Sequence, residues 1–361
     1  MRSNNLTEKI HTLAPEASAP CRIDLGGTLD LRTFHYPLAQ LQPCTFNIAL
    51  DLKTSVRLLP YRDDMVKVSS RGFESAEFPA GRAPFSHPMG LMFAVASYFG
   101  VAGVHVDVIS SSPPRSALGG SSSAAVALAS VLTAATRRSG EKAISRKHMA
   151  MLAHTIEETV AGVPCGMQDQ LAAAYGGINE WRWPGKIEEP PFQRKSVIDP
   201  DAYPEFENRL LVAYCGMPHE SKNINGKWVN DFLEGRCRSE WEDIITITKN
   251  FIDSLSSYNY KDAAAAMNME TGIRTGMTPD VLDEVGKTLV KSALAYGCGA
   301  RFTGAGGGGC VWALGEPDDI EKLKHTWQET LSATAEGRLL SNRIDSNGLQ
   351  VKYGQKVDLI D

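Results

Sequence analysis

The sequence has no block of lysine and arginine, no Cys-x-x-Cys pair and no apolar run long enough to cross a bilayer. Each absence removes a class of function. With 37 basic against 42 acidic residues the formal net charge is -5, so nucleic acid and anionic membrane surfaces find no electrostatic footprint. The 7 cysteines are scattered and odd in number, a usage that fits reduced thiols in a cytoplasmic protein better than a disulfide framework. The longest apolar stretch, Ala124 to Ala135, is interrupted by Ser130 and Thr133 and is too short for a membrane span. The N-terminal stretch "MRSNNLTEKIHTLAPEASAP" is polar and holds no apolar signal core.

Two familiar nucleotide signatures are also missing. "EVGKT" at 284–288 contains the letters GKT, but Val281 stands where a GxxxxGK[ST] loop needs its first glycine, and the segment reads as helix. "GAGGGG" at 304–309 satisfies GxGxxG in letters, but "CVWAL" follows as a strand where a dinucleotide site needs a helix. What remains there is a glycine turn between two strands, able to lie flat against a ligand.

A chain of 361 residues with 43% hydrophobic and 22% charged residues is an ordinary globular composition, too long for one typical core. We expect two α+β units, at 1–195 and 205–361, divided by the Pro- and charge-rich segment "GKIEEPPFQRKSVIDPDAYP". "CRIDL", "TFNIALDLKTSVRLLPY" and "VHVDVIS" alternate apolar and polar residues and read as strands. Residues 144–161 read as an amphipathic helix closed by Gly162, and a second helix runs from near Asp169 to Gly176.

Between the strand at 104–110 and an alanine-rich helix lies "PPRSALGGSSSAA". A helix N-terminus offers unpaired N–H donors and a positive dipole end, and binds phosphate where the backbone can come close. Gly119 and Gly120 remove the side chains that would block that approach, and Ser121, Ser122 and Ser123 add hydroxyls that can cap the helix, bond phosphate or ligate Mg²⁺. "IEETVAGVPCGMQDQ" sets Glu157 near one helix end and Asp169 at the next helix start, with a turn from Gly162 to Gly166 folding the chain back. Two carboxylates could then face one site, one holding Mg²⁺ and one taking a hydroxyl proton. The bland alternative is two solvated carboxylates at helix ends.

Together these stretches resemble the GHMP small-molecule kinases. "PPRSALGGSSSAA" is similar to that family's phosphate loop, usually PPxxxLGSSSA; "APCRIDLGGTLD" resembles its first motif and "RFTGAGGGGC" its third. "AGVPCGMQDQ", "GMQDQLAAAYGGIN" and "YCGMPHESKNIN" resemble the galactokinase, heptose-phosphate and L-fucose kinase branch. The resemblance implies an N-terminal domain like ribosomal protein folds, a ferredoxin-like C-terminal domain and a site between them. It implies ATP, Mg²⁺ and direct γ-phosphoryl transfer to a small-molecule hydroxyl, anomeric in the sugar branch, in a monomer or homodimer.

Carried over by position, Asp169 matches the catalytic aspartate and Arg22 the first-motif arginine near the transferring phosphate, whose charge should lower the Asp169 pKa. Glu157 and Ser121 match the Mg²⁺ ligands. Pro114, Ser116, Leu118, Gly119, Gly120, Ser121, Ser122, Ser123, Gly304, Gly306 and Gly307 match the ATP-binding positions, and Asp30, Asp169 and Gly166 the acceptor site. Arg115 and Ala117 stand where the loop often has glycine, and "LRTFHYPLAQLQPC" replaces the usual segment after motif one. His219 and Ser221 are further candidates for substrate contact, and Arg32, Lys222 and Lys227 for a phosphate on the acceptor. Cys165 reads as a packed residue, since direct phosphoryl transfer needs no covalent nucleophile. Two other readings stay open: a kinase of a non-sugar alcohol, and a sugar and ATP sensor without catalysis.

Overall fold

The computed structural model describes residues 2–137, 143–162, 164–186, 188–217 and 224–361. His219, Ser221 and Lys222 lie outside the described residues. The chain opens with helix α1 (Arg2–Leu13), strand β1 (Glu16–Leu25), the one-turn α2 (Arg32–His35), the long β2 (Cys44–Pro60), β3 (Met65–Ser70) and β4 (Ala76–Pro79). It continues with α3 (Gly90–Phe99), β5 (Val104–Ser110), α4 (Gly120–Thr136), β6 (Ile144–Ser145), α5 (Arg146–Ala161), α6 (Gln168–Tyr175), β7 (Ile178–Arg182) and β8 (Gln193–Ser196). Then come α7 (Tyr203–Glu207), β9 (Leu210–Tyr214), α8 (Ile224–Leu233), α9 (Arg238–Ser256), α10 (Tyr260–Met277), α11 (Glu284–Ala295), β10 (Gly299–Phe302), β11 (Cys310–Leu314) and α12 (Pro317–Ser332). Four short strands close the chain: β12 (Arg338–Leu339), β13 (Gln350–Tyr353), β14 (Gln355–Lys356) and β15 (Leu359–Ile360).

Strands of the first half, joined by β13 and β14 from the end of the chain, form one sheet in the order β14-β13-β1-β2-β5-β3-β4, with β7 pairing β2 and β8 pairing β7. A second sheet runs β10-β11-β9-β12. One core fills the space between the first sheet and helices α3 to α6, where Val106, Leu128, Leu132 and Ala153 are buried. A second core joins the sheets: Cys21, Ile23, Phe46 and Ile48 pack with Phe251, Met267 and Trp312. A third sits beneath the second sheet, built from Trp228, Trp241, Leu289 and Trp327. The α+β expectation holds.

Two features differ from the simple sequence division. Strand β13, from the 205–361 stretch, pairs with β1, and β15 pairs with β6. The chain therefore returns to the first sheet, because Leu349 and Val351 bury there. Strand β8 lies inside the Pro-rich divider and extends β7.

The β1–β2 ladder is irregular between Pro20 and Cys21. Before it, Ala17 and Ala19 pack in the first core; after it, Cys21, Ile23 and Leu25 pack in the second. An irregularity of this kind bends and twists a strand, and here it coincides with the passage of β1 from the first core to the second. Arg22 and Asp24, two residues apart, share a strand face and meet the site.

Candidate active site

A cavity of about 450 Å³ opens where β1, the 111–119 loop, α4, α5 and α6 meet the glycine loop between β10 and β11. On one side Phe73, Met89, Met92 and Val108 make its wall apolar, and on another Thr28, Asp30, Gln168, Asp169 and Asn225 make it polar.

The loop before α4 reaches the helix through backbone conformations that L-residues seldom adopt: Arg115 has φ 54°, Ala117 φ 59° and Gly119 φ 74°. Those are the positions where a glycine costs least. No side chain caps α4, so its first N–H groups face the cavity without a protein side-chain partner, as an anion cradle requires. The serines do not cap the helix as expected. Ser122 donates to Glu157 Oε2 at 2.8 Å and Ser121 to Glu157 Oε1 at 3.4 Å. Ser123 turns away, donating to the Pro20 carbonyl at 2.7 Å and to Gly119 at 3.0 Å.

Glu157, half-buried on α5, also accepts from Gln170 Nε2 at 2.7 Å. Burial raises its pKa, the Asp169 charge adds to the rise, and the hydrogen bonds from Ser122 and Gln170 oppose it. A partly desolvated carboxylate with two hydroxyls beside it is a hard-oxygen donor set. Mg²⁺ fits it if phosphate oxygens complete the shell. Among the described residues no group of three His, Cys, Asp or Glu side chains could hold a metal alone.

Asp169 sits in the first turn of α6 with its side chain 22% exposed. Arg22 donates to its Oδ1 from Nε at 2.8 Å and from Nη2 at 2.8 Å. Arg22 Nη1 donates to the Ala117 carbonyl at 2.8 Å. The guanidinium is thus committed to the protein on all three nitrogens, between the phosphate loop and the carboxylate. Burial works against its charge, but Asp169 and Asp24 outweigh that and raise its pKa.

The expected depression of the Asp169 pKa is not what the site gives. Burial raises it, Arg22 pulls it down, and the neighbouring Asp24 pushes it up again, for a net rise. The arginine fixes position more than it acidifies.

Asp30 is buried in the turn after β1, and its Oδ2 accepts the Gln168 N–H at 3.0 Å. Burial pushes its pKa up to about 6, with the Asp169 charge contributing. Gly166 is required here by close approach: a Cβ would lie 1.8 Å from Asp30 Oδ2. Cys165, beside it, has its thiol pKa raised by burial and then by Glu157, so it stays protonated.

Most of the residues expected from the sequence converge on this cavity. Pro114, Ser116, Leu118, Gly119, Gly120, Ser121, Ser122, Gly304, Gly166, Asp30, Glu157, Asp169 and Arg22 line it, as does Arg115. Ser123, Gly306 and Gly307 do not. Gly306 packs against the Val281 carbonyl, and Gly307 donates its N–H to that same carbonyl at 2.9 Å. Arg32 borders a separate cavity of about 80 Å³ shared with Asp30 and Cys165, and Lys227 donates to Thr278 Oγ1 at 3.2 Å, away from the site.

Sequence reasoning passed over Asp24, Gln170, Glu270, Arg274 and Arg301. The signal for Asp24 was available: in "CRIDL" the arginine and aspartate share one strand face, opposite Cys21, Ile23 and Leu25. The others carry no local mark, being single charges or amides on helices and a strand.

Residues 87–177 match the GHMP kinases N terminal domain, and residues 261–333 the GHMP kinases C terminal domain. The chain belongs to the GHMP kinase family. Like other members of the family it is a phosphotransferase with an alcohol group as acceptor and ATP as the donor. A mevalonate kinase of Pyrococcus abyssi is 24% identical over 367 residues, covering 93% of this chain and 97% of that one. A D-glycero-D-manno-heptose 1-phosphate kinase from Bacteriodes thetaiotaomicron superposes with a TM-score of 0.69 at 14% identity, over 93% of this chain and 97% of that one. Lactococcus lactis galactokinase complexed with galactose gives 0.69 at 15% identity, over 96% and 98%. Among the described residues no helix is long and apolar enough to cross a membrane.

Proposed function

We propose that the chain is a sugar kinase that moves the γ-phosphoryl group of ATP to the anomeric hydroxyl of an aldose or aldose phosphate. The observation that carries this is the acceptor end of the cavity. Asp30, Thr28, Gln168 and Asn225 line it, a set that exchanges hydrogen bonds with several hydroxyls. The cations lining the cavity among the described residues are Arg22, Arg71 and Arg115. Arg22 is taken up by Asp169, and Arg115 belongs to the phosphate loop. A neutral aldose needs no further cation, whereas an anionic acceptor, a carboxylate-bearing alcohol or an aldose phosphate alike, would call on Arg71, the remaining cation of the lining.

Asp169 Oδ accepts the proton of the attacking hydroxyl as its oxygen bonds to the γ-phosphorus and the bond to the ADP oxygen breaks. Its raised pKa suits a base working near neutral pH. Arg22 holds the carboxylate in place. The N–H groups of Gly120, Ser121 and Ser122 cradle the phosphates. Glu157 with Ser121 and Ser122 would hold Mg²⁺, which would neutralise phosphate charge.

The second reading, a kinase of a non-sugar alcohol, is favoured by the mevalonate kinase relatives that span 93% of the chain. One assay separates the two. ADP release with Mg²⁺-ATP is followed against free aldoses, aldose phosphates, mevalonate and homoserine. Turnover on an aldose supports the proposal; turnover on mevalonate or homoserine alone overturns it. Asp169→Asn should cut turnover on the positive acceptor by orders of magnitude with ATP binding retained.

A further inference from the structure

Asp24 is completely buried on β1. Its carboxylate divides between two partners from the second half of the chain. Oδ1 accepts the backbone N–H of Gly304 at 2.7 Å, and Oδ2 accepts from Arg301 Nη1 at 3.2 Å. Oδ1 also lies 3.7 Å from Arg22 Nη1. Arg22 in turn holds Asp169. The row of buried charges does not stop there. Glu270 on α10 bridges Arg301 at 2.8 Å and Arg274 at 2.9 Å, and Arg274 Nη2 donates to the Gly27 carbonyl at 2.6 Å. Charges of alternating sign thus run Asp169, Arg22, Asp24, Arg301, Glu270, Arg274, from the cavity into the seam between the sheets.

A row of buried charges is a costly way to hold a fold together, since apolar packing of the same volume does so as well or better. Its partners suggest a different role. The Gly304 loop borders the cavity beside the phosphate loop: Gly304 lines it, and a Cβ on Gly304 would lie 3.3 Å from Arg22 Nη2 and 3.4 Å from the Ala117 carbonyl.

We infer that Asp24 is a positioning residue: one buried carboxylate sets the Gly304 loop and the Arg22–Asp169 pair in register with each other. It touches neither acceptor nor phosphate. Its influence passes through Arg22 to the carboxylate that takes the proton. This rests on the reading of Asp169 as the base.

The charge on Asp24 has a further, measurable consequence. The titratable groups facing Asp169 are Arg22 and Asp24 from β1, Asp30 from the turn after it, Glu157 from α5 and Cys165 from the α5–α6 turn. The phosphate loop adds Arg115, and the Gly304 loop adds no titratable side chain. Removing the negative charge of Asp24 frees more of the Arg22 field for Asp169 and takes away a like charge. Both effects make Asp169 easier to ionise.

Asp24→Asn keeps an oxygen for the Gly304 N–H, removes the charge and turns an NH₂ donor toward Arg301 Nη1 in place of the accepting Oδ2. In the full-length protein with its best acceptor, kcat should fall about tenfold or more. The acid limb of the kcat–pH profile should move to lower pH by about half a unit or more. Because the substitution strands part of the Arg301 charge, the double variant Asp24→Asn, Arg301→Gln is measured beside it. It removes one charge of each sign and leaves Arg22–Asp169 and Arg274–Glu270 paired. It should show the same downward move. A folded variant with its acid limb in place overturns the inference, as does failure of both variants to fold, which would make Asp24 a residue of the fold alone. Asp169→Asn serves as the control. Full turnover there would sink the base reading itself, whereas a dead Asp169→Asn with an unmoved limb in Asp24→Asn sinks only the positioning role.

Discussion

At Asp30 stability and recognition oppose each other. Its carboxyl titrates near 6, above the ordinary 3.8, because burial penalises the charged form. The folded protein therefore holds this proton more tightly than the unfolded chain. That contribution is fully present below the unfolded value and is lost as pH rises through about 6. Asp30→Asn fixes the neutral form. We expect it to raise unfolding free energy by roughly 2–3 kcal/mol at pH 8 and to change little at pH 4. Denaturant melts at the two pH values check this, and an equal effect at both would refute it. Acceptor KM should rise in the same variant, since the ionised carboxylate is the stronger hydrogen-bond acceptor for hydroxyls. This is the usual pattern of a site residue that costs the fold something.

At the scale of one element, α4 presents three consecutive serines with two destinations. A helix turns about 100° per residue, so Ser121 and Ser122 can reach the two oxygens of one carboxylate while Ser123, about 200° round from Ser121, cannot join them. Ser122 reaches Glu157, and Ser123 reaches back to Pro20 on β1. The two alanine substitutions should therefore separate. Ser123→Ala loses hydrogen bonds to two backbone carbonyls in a buried place and should cost about 1–2 kcal/mol of stability with KM for ATP unchanged. Ser122→Ala should leave the melting temperature nearly in place and raise the Mg²⁺ concentration needed for half-maximal turnover several-fold. Chemical denaturation and a Mg²⁺ titration of the rate distinguish them; an exchange of the two phenotypes would invert the assignment. The triplet is visible in the sequence, but its division of labour depends on which neighbours α5 and β1 bring alongside.

For the whole molecule, the return of the chain to its first sheet ties the end of the sequence to the site. Strand β13 pairs with β1, the strand that carries Arg22 and Asp24, and buries Leu349 and Val351 in the first core. Ending the chain after residue 346 should destabilise it by about 3 kcal/mol or more, from the lost apolar burial and strand pairing. It should also shorten the half-life of activity at elevated temperature. Unfolding monitored by circular dichroism tests this, and a truncated chain as stable as the parent would show that the edge strand is dispensable.

The features legible along the chain are local and periodic. Alternation specified β1, β2 and β5, glycine and serine marked the loop before α4, and helix spacing placed Glu157 and Asp169 at two facing helix ends. These are properties of neighbours in the chain, where the 2.0 and 3.6 residue periods operate. The rest follows from how the chain packs in space. The sign of the Asp169 shift depended on burial outweighing Arg22. The absence of Gly306 and Gly307 from the cavity wall depended on the Val281 backbone. The charge row from Asp169 to Arg274 joined residues more than two hundred positions apart. Desolvation and pairing depend on what surrounds a group in space, and that is set by the packing of two sheets against each other, not by spacing along the chain.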